Sequence, residues 1–277
     1  MFTDTHAHLD FPEFADDLPG ILERAAAAGI TRLNSIGTSV EGSARAIALA
    51  DRYPQVHAVV GIHPTSAMEA AEDRVAALRQ LAQHPKVAAI GEAGLDYHWL
   101  PGAVARREGK WTEADADAFA AQDAAEKRRQ AVVFREQIAL AAELGFNVVV
   151  HQRNAWDDTL AIVREYSDRV RCVYHCFGEP PERARALFEL GHFVSFTGII
   201  TFKNAAAVQA VAAEAPSDRF MLETDCPYLA PVPFRGKRCE PAYVRQIAEC
   251  VASLRRESLP ALSAQTEATA ERFFRLG

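Results

Sequence analysis

Met1-Phe2-Thr3-Asp4-Thr5-His6-Ala7-His8 is an apolar start that runs directly into ionisable residues. Extended, it alternates its side chains, so Asp4, His6 and His8 share one face and Thr3, Thr5 and Ala7 the other. Two imidazoles one residue apart on a strand can chelate a single ion without straining the backbone. They can equally serve as hydrogen-bonding groups of a polar strand, and the choice rests on what the remaining chain supplies.

Working outward, apolar runs recur as strand candidates at residues 2–6, 31–36, 56–62, 87–91, 146–150, 170–174, 193–196 and 220–223. Between them, amphipathic stretches predict helices over 18–28, 40–51, 70–82, 132–144, 156–166, 181–190, 205–213 and 241–255. Gly29, Gly145 and Gly191 each close a helical pattern before a strand, where a left-handed terminus favours glycine. Eight alternations predict a parallel (β/α)8 TIM barrel, one α/β domain over residues 1–277, with functional side chains at the C-terminal strand ends. A doubly wound open sheet is the alternative. The rhythm breaks after the fourth strand, where residues 99–129 form a long, charged, alanine-rich insertion. Thr112-Glu113-Ala114-Asp115 resembles a helix N-cap, so this insertion is expected to extend the following helix. Leaving a C-terminal strand end, it should lie near the site mouth, either shaping substrate access or forming a solvated elaboration.

The 277-residue chain is 49% hydrophobic, enough for a large core, and its 24% of charged residues is ordinary for a globular protein. A net charge of −7 argues against holding nucleic acid through a broad basic surface, although it leaves room for a local basic rim. Cys172, Cys176, Cys226, Cys239 and Cys250 are odd in number and lack CxxC spacing, which predicts neither a disulfide framework nor a zinc ribbon. A reducing cytoplasm is the expected setting. No apolar run approaches the about 18 residues a membrane helix needs, so no membrane association is expected. A cleaved signal peptide is not expected either, because cleavage would remove His6 and His8. No stretch points to an obligate protein partner.

The ionisable residues fall where the predicted strands end. His6 and His8 close the first, Glu92 the fourth, His151 the fifth, His175 the sixth and Asp225 the eighth. Each follows an apolar run, as in Val87-Ala88-Ala89-Ile90-Gly91-Glu92 and Phe146-Asn147-Val148-Val149-Val150-His151. A closed barrel would turn all six to one basin, a set sufficient for two metal ions bridged by a carboxylate and a water. Singly, each would pass for a hydrogen-bonded histidine or a helix-capping acid; recurrence at successive strand ends weighs against that.

On these residues the chain resembles the TatD family of metal-dependent deoxyribonucleases, within the amidohydrolase-like barrels, over essentially its full length. The motifs are Asp4-Thr5-His6-Ala7-His8-Leu9-Asp10, Gly61-Ile62-His63-Pro64, Gly91-Glu92-Ala93-Gly94-Leu95-Asp96-Tyr97 and His175-Cys176-Phe177. Further on come Thr197-Gly198-Ile199-Ile200-Thr201-Phe202-Lys203-Asn204, Glu223-Thr224-Asp225-Cys226-Pro227-Tyr228 and Arg235-Gly236-Lys237-Arg238. The resemblance implies a two-metal phosphodiesterase with His6, His8, Glu92, His151, His175 and Asp225 as metal ligands and Glu92 as the bridge. It implies two divalent ions per chain, Mg, Mn or Zn, of which the imidazole-rich set favours zinc or another transition ion. It also implies DNA as substrate, trimmed at single-stranded ends from the 3′ side. Three features depart from the family pattern: Gln152 stands where serine is common, Cys239 where asparagine is usual, and the 99–129 insertion is longer than usual.

Within that reading, Asp225 orients the attacking water and takes its proton, with Glu92 as the other catalytic carboxylate. Phosphate contacts are expected from His63, Arg153, Lys203 and Arg235, the last in the cluster running to Arg238, although each basic residue also fits a solvated surface role. His63 could instead fix a ligand's tautomer. His57, His84, His98 and His192 read as structural. Phe11, Phe14, Tyr97, Trp99 and Phe234 are candidates to stack on bases, Phe11 and Phe14 foremost, with core packing the alternative. Two competing functions remain open: a metal-dependent ester or amide hydrolase such as an aminoacyl-tRNA deacylase, and a non-catalytic nucleic-acid binder. Many hydrolases of this barrel class bridge their metals with a modified lysine, and Glu92 at the fourth strand leans towards the nuclease.

Overall fold

The computed structural model describes residues 1–276. Its strands are β1 (Phe2–Ala7), β2 (Ile30–Ile36), β3 (Val56–Val60), β4 (Val87–Asp96), β5 (Val148–Arg153), β6 (Cys172–Tyr174), β7 (Phe193–Phe196) and β8 (Phe220–Leu222). They lie side by side in sequence order, every neighbouring pair parallel. The two edges meet: Ala7 bridges to Cys226, the Asp225 N–H donates to the His6 carbonyl (2.9 Å), and the His8 N–H donates to the Cys226 carbonyl (2.9 Å). The sheet is therefore a nearly closed (β/α)8 barrel, as the alternation predicts, and not an open sheet.

Strand alternation sorts the core into two layers. Ile36, Val59, Ala89, Val149, Val173 and Met221, one from each of six strands, cluster inside the barrel, while neighbours such as Leu33, Val60, Ile90, Val148 and Leu222 pack with the surrounding helices. Phe273 and Phe274 join the inner cluster from α10 (Leu259–Phe274), a helix absent from the sequence reading. Residues 259–270 are rich in Ala and bury Leu262, Thr266, Thr269 and Ala270, a face too weakly apolar to read as amphipathic, before the C-terminal phenylalanines plug the barrel. The Asn147 amide fixes that end by donating to the Phe273 carbonyl (2.7 Å).

The insertion folds as α4 (Pro101–Arg107) followed by α5 (Ala116–Leu144), a helix of 29 residues. It does extend the following helix, but Thr112 caps no backbone N–H; its hydroxyl donates to Asp115 (2.5 Å). The first turns of α5 bury little, which is why the apolar pattern begins only near residue 132. Deeper along α5, Gln137 donates to and accepts from the Ile62 backbone (3.0 and 2.7 Å), and Gln130 does the same for Asp96 (3.2 and 2.9 Å). These two buried amides clamp the C-terminal ends of β3 and β4. β4 runs past its predicted end because Gly94 (φ +155°) has no side chain; a Cβ there would lie 1.9 Å from the His151 carbonyl oxygen of β5. No helix among the described residues is long and apolar enough to cross a membrane.

His192 is one of the four histidines read as structural, and it carries a pH consequence. It is wholly buried; its Nδ1 accepts from the Cys172 N–H (3.2 Å), and its Nε2–H donates to Ser167 Oγ (2.9 Å), which donates onward to the Val163 carbonyl. Burial, aided by the Arg171 charge, pushes its pKa down to about 4. The unfolded chain therefore binds a proton below about pH 6.5 that the folded chain refuses, and stability falls as pH drops through this window. At pH 5 the loss relative to pH 7 is about 2 kcal/mol from this residue. Urea unfolding at the two pH values checks it: the acid loss in His192→Gln should be smaller than in the parent by about that amount. An equal loss in both proteins would refute it.

Candidate active site

The barrel brings the strand ends to one cavity of about 780 Å³, lined among others by His8, His63, Glu92, Asp96, His151, Arg153, His175 and Asp225. At its floor Glu92 is almost wholly buried, and its two oxygens face different partners. Oε2 faces His6 Nε2 (3.4 Å) and His8 Nε2 (3.8 Å), each of which also approaches Asp225 Oδ1 (3.7 and 3.3 Å). Oε1 faces His151 Nδ1 (2.7 Å), His175 Nε2 (2.7 Å) and His63 Nε2 (3.6 Å). All six residues expected as metal ligands thus converge. Asp4, on the same strand as His6 and His8, does not join them: it accepts from the Thr224 N–H (2.9 Å) and hydroxyl (2.6 Å), tying the end of β8 to β1.

Outer hydrogen bonds decide which way the ring lone pairs point. His8 Nδ1–H donates to the Ile36 carbonyl (3.3 Å), which turns Nε2, the nitrogen left to take a proton or a cation, towards Asp225 and Glu92. His151 Nε2–H donates to Asp96 Oδ2 (3.0 Å), which turns the Nδ1 lone pair to Glu92 and to His175 Nε2, 3.1 Å away. Among the described residues neither nitrogen of buried His6 has a hydrogen-bond partner, nor does His175 Nδ1. Lone pairs and carboxylate oxygens packed this closely repel unless a cation or protons lie between them, so the donor set fits bound divalent metal. Two triads with mutually close donor atoms reflect the division at Glu92: His6, His8 and Asp225 on one side, and His63, Glu92 and His151 on the other. A third, His6, His175 and Glu223, is of another kind. The Glu223 oxygens already accept from the Cys176 N–H (2.6 Å) and Ser195 Oγ (2.5 Å), so Glu223 supports His175 from behind, 3.5 Å from its Nδ1.

The electrostatics follow the same division. Burial pushes the Glu92 carboxyl up, yet the His175, His63 and His6 imidazoles outweigh it and hold the group well below the usual range. Burial likewise opposes ionisation of Asp225, and the His8 hydrogen bond with the His6, His175 and His8 charges lowers it regardless. His63 goes the other way: burial, reinforced by His151, pushes it down to about 3. Its Nδ1 accepts from the Thr65 N–H (3.2 Å), so its proton sits on Nε2, aimed into the cavity as a donor.

The TatD-related DNase family profile matches residues 3–275. The chain belongs to the TatD family. A metal-dependent hydrolase of Bacillus subtilis (strain 168), YabD, is 37% identical over the full length of both chains, and a protein of Erwinia billingiae named 3′-5′ ssDNA/RNA exonuclease TatD is 33% identical over 99% of this chain and 98% of its own. The crystal structure of YJJV, a TatD homologue from Escherichia coli K12, superposes with a TM-score of 0.85 at 27% identity, covering 100% of this chain and 98% of that one. This TatD protein is accordingly a metal-dependent hydrolase.

Among the expected phosphate contacts of this TatD protein, His63 and Arg153 line the cavity and Lys203 and Arg235 do not. Lys203 is exposed, and Arg235 lies over the Phe202 ring at 4.4 Å. The Arg235 guanidinium thus packs on the aromatic of the Lys203 motif. Arg238 of the same motif pairs with Asp17 (2.8 Å) and Glu240 (3.1 Å), a structural use. Of the aromatic candidates, Phe14 is fully buried, Phe234 stacks on Tyr243 (4.2 Å) and the Tyr97 hydroxyl donates to Asp158 (2.7 Å). Only Phe11, stacked on His8 at 4.6 Å, and Trp99 reach the cavity. Cys239, in place of the usual asparagine, is buried and its loop is held by its own N–H to the Pro227 carbonyl (3.0 Å). The sequence reading passed over Asp96, Glu223, Gln130 and Gln137 as positioning residues. Asp96 and Glu223 stand inside quoted motifs, and the two glutamines lie seven apart on the buried face of α5, a periodic signal open to reading.

Proposed function

We propose that this hydrolase cleaves phosphodiester bonds, acting from the 3′ end on single-stranded DNA, with two divalent cations on either side of Glu92. The observation that supports it is the division of the Glu92 carboxylate, one oxygen towards His6 and His8 and the other towards His151 and His175. One ion would be held by His6, His8, Asp225 and Glu92, the other by His151, His175 and Glu92. Bound there, such cations lower the pKa of water and offset the charge that builds on phosphoryl oxygens.

The remaining work falls to the chain's own side chains. Asp225, ionised and lining the cavity, orients the attacking water and accepts its proton. His63, neutral, donates its Nε2–H to a phosphate oxygen, and Arg153 supplies a charge-assisted contact to the same or the next phosphate. Asp96 keeps His151 in the tautomer that faces Glu92. The imidazole-rich set suits zinc or another imidazole-binding transition ion better than magnesium, which prefers oxygen ligands. A cytoplasmic setting, where the five free thiols stay reduced, belongs to this reading.

The test is digestion of 5′-labelled single-stranded DNA beside an aminoacyl-tRNA and a simple lactone, with and without chelator. Progressively shorter labelled products that vanish with chelator are expected. An intact strand together with hydrolysis of the aminoacyl ester or the lactone would overturn the proposal.

A further inference from the structure

We infer that Trp99, with Arg107 and Arg153, forms a nucleobase platform at the cavity mouth that holds the nucleotide next to the reacting phosphodiester. The inference rests on the nucleic-acid reading above and assigns a use to the 99–129 insertion, which carries Trp99 and Arg107.

Trp99 lines the same cavity as Glu92 and His151, yet it is 52% exposed, a large apolar ring left in water beside the site. The Arg107 and Arg153 guanidiniums lie 5.2 and 5.9 Å from its centroid, and the His98 ring meets its edge at 5.0 Å. Neither arginine has a carboxylate within salt-bridge distance among the described residues, whereas Arg74, Arg79, Arg135 and Arg238 are all paired. Two free cations against an exposed aromatic face, on a protein of net charge −7, form a local surface suited to a base with phosphates on either side.

The platform is also fixed relative to the reacting centre. Asp96 Oδ1 accepts from the His98 N–H (2.8 Å) and the Trp99 N–H (3.3 Å), while its Oδ2 accepts from His151 (3.0 Å). One buried carboxylate therefore sets both the tautomer of a cluster histidine and the position of the ring. Arg107 is anchored in turn by donating to the His98 carbonyl (2.5 Å). Stacking on an indole is available to any base whose face is free, and in a duplex both faces are covered by neighbours. The platform thus selects single strands without reading sequence.

Binding of a labelled ten-residue oligothymidylate to the full chain, measured by fluorescence anisotropy with chelator present, tests this without turnover. Trp99→Ala should weaken binding by about tenfold or more, and Trp99→Tyr should restore most of the loss. Arg107→Gln should reduce the slope of log K against log salt by about 0.7, one phosphate contact on a single strand. Lys110→Ala, on the same insertion but paired with Glu108, should change neither value. Binding by Trp99→Ala within twofold of the parent overturns the platform even if the parent cuts DNA, as does failure of the parent to bind. A parent that binds through Trp99 but never cuts leaves the platform standing and defeats the hydrolysis reading.

Discussion

Glu92→Gln should reduce kcat by on the order of 10³-fold while leaving the metal-free fold near its parent stability. The amide keeps the volume of a buried side chain, so no cavity opens. What is lost is the charge that both halves of the cluster share. The carboxylate is held ionised against its own burial by His175, His63 and His6, and burial likewise opposes the positive charge of His175, which the Glu92 carboxylate raises well above its ordinary value. With glutamine in place His175 loses this counter-charge and gives up its proton more readily, which spares the metal-free protein a buried unpaired cation. A bound cation has no such escape. Each side then offers a weak amide oxygen or an N–H where it had an anionic oxygen, and affinity falls on both. Metal content measured on purified protein should drop with the rate, and thermal melting with and without added metal should lose its metal-dependent gain. A variant that keeps its metal and turns over within tenfold of the parent would remove Glu92 from the centre of the chemistry.

How far the sequence discloses this site depends on what kind of signal each residue leaves. His6, His8, Glu92, His151, His175 and Asp225 follow apolar runs that are strands for local reasons, so barrel closure alone brings them together. Their convergence is legible because period-two strands have fixed ends. Asp96 is harder: β4 extends beyond its apolar run only because Gly94 lets it pass β5, a matter of one missing Cβ against the His151 carbonyl. Arg235 shows the opposite case. Charge is visible in a sequence, but whether a long side chain turns to a cavity or back over Phe202 is settled by packing that composition does not encode. The helix α10 was hidden for a related reason, since much of the face it buries ahead of its two terminal phenylalanines is threonine and alanine.

Asp225→Asn should lower kcat by roughly 10²- to 10⁴-fold, the span expected when a proton acceptor is removed, with thermal stability close to the parent. Asparagine is the informative replacement because Asp225 sits in the left-handed region (φ +56°), which asparagine adopts readily and alanine does not. The backbone bonds that place it, its N–H to the His6 carbonyl and the Thr224 clamp to Asp4, are untouched by the change. Asp4→Asn is the matching control. Asp4 is wholly buried, and burial, opposed only by hydrogen bonds from Thr224 and His6, pushes its pKa up to about 8, whereas His8, His6 and His175 bring Asp225 down. At neutral pH Asp4 is therefore largely a neutral acid, which asparagine imitates, and Asp225 is an anion, which it does not. The two variants should separate by more than tenfold in kcat despite the same chemical edit. Equal rates in the two would mean that the charge on Asp225 takes no part in the step.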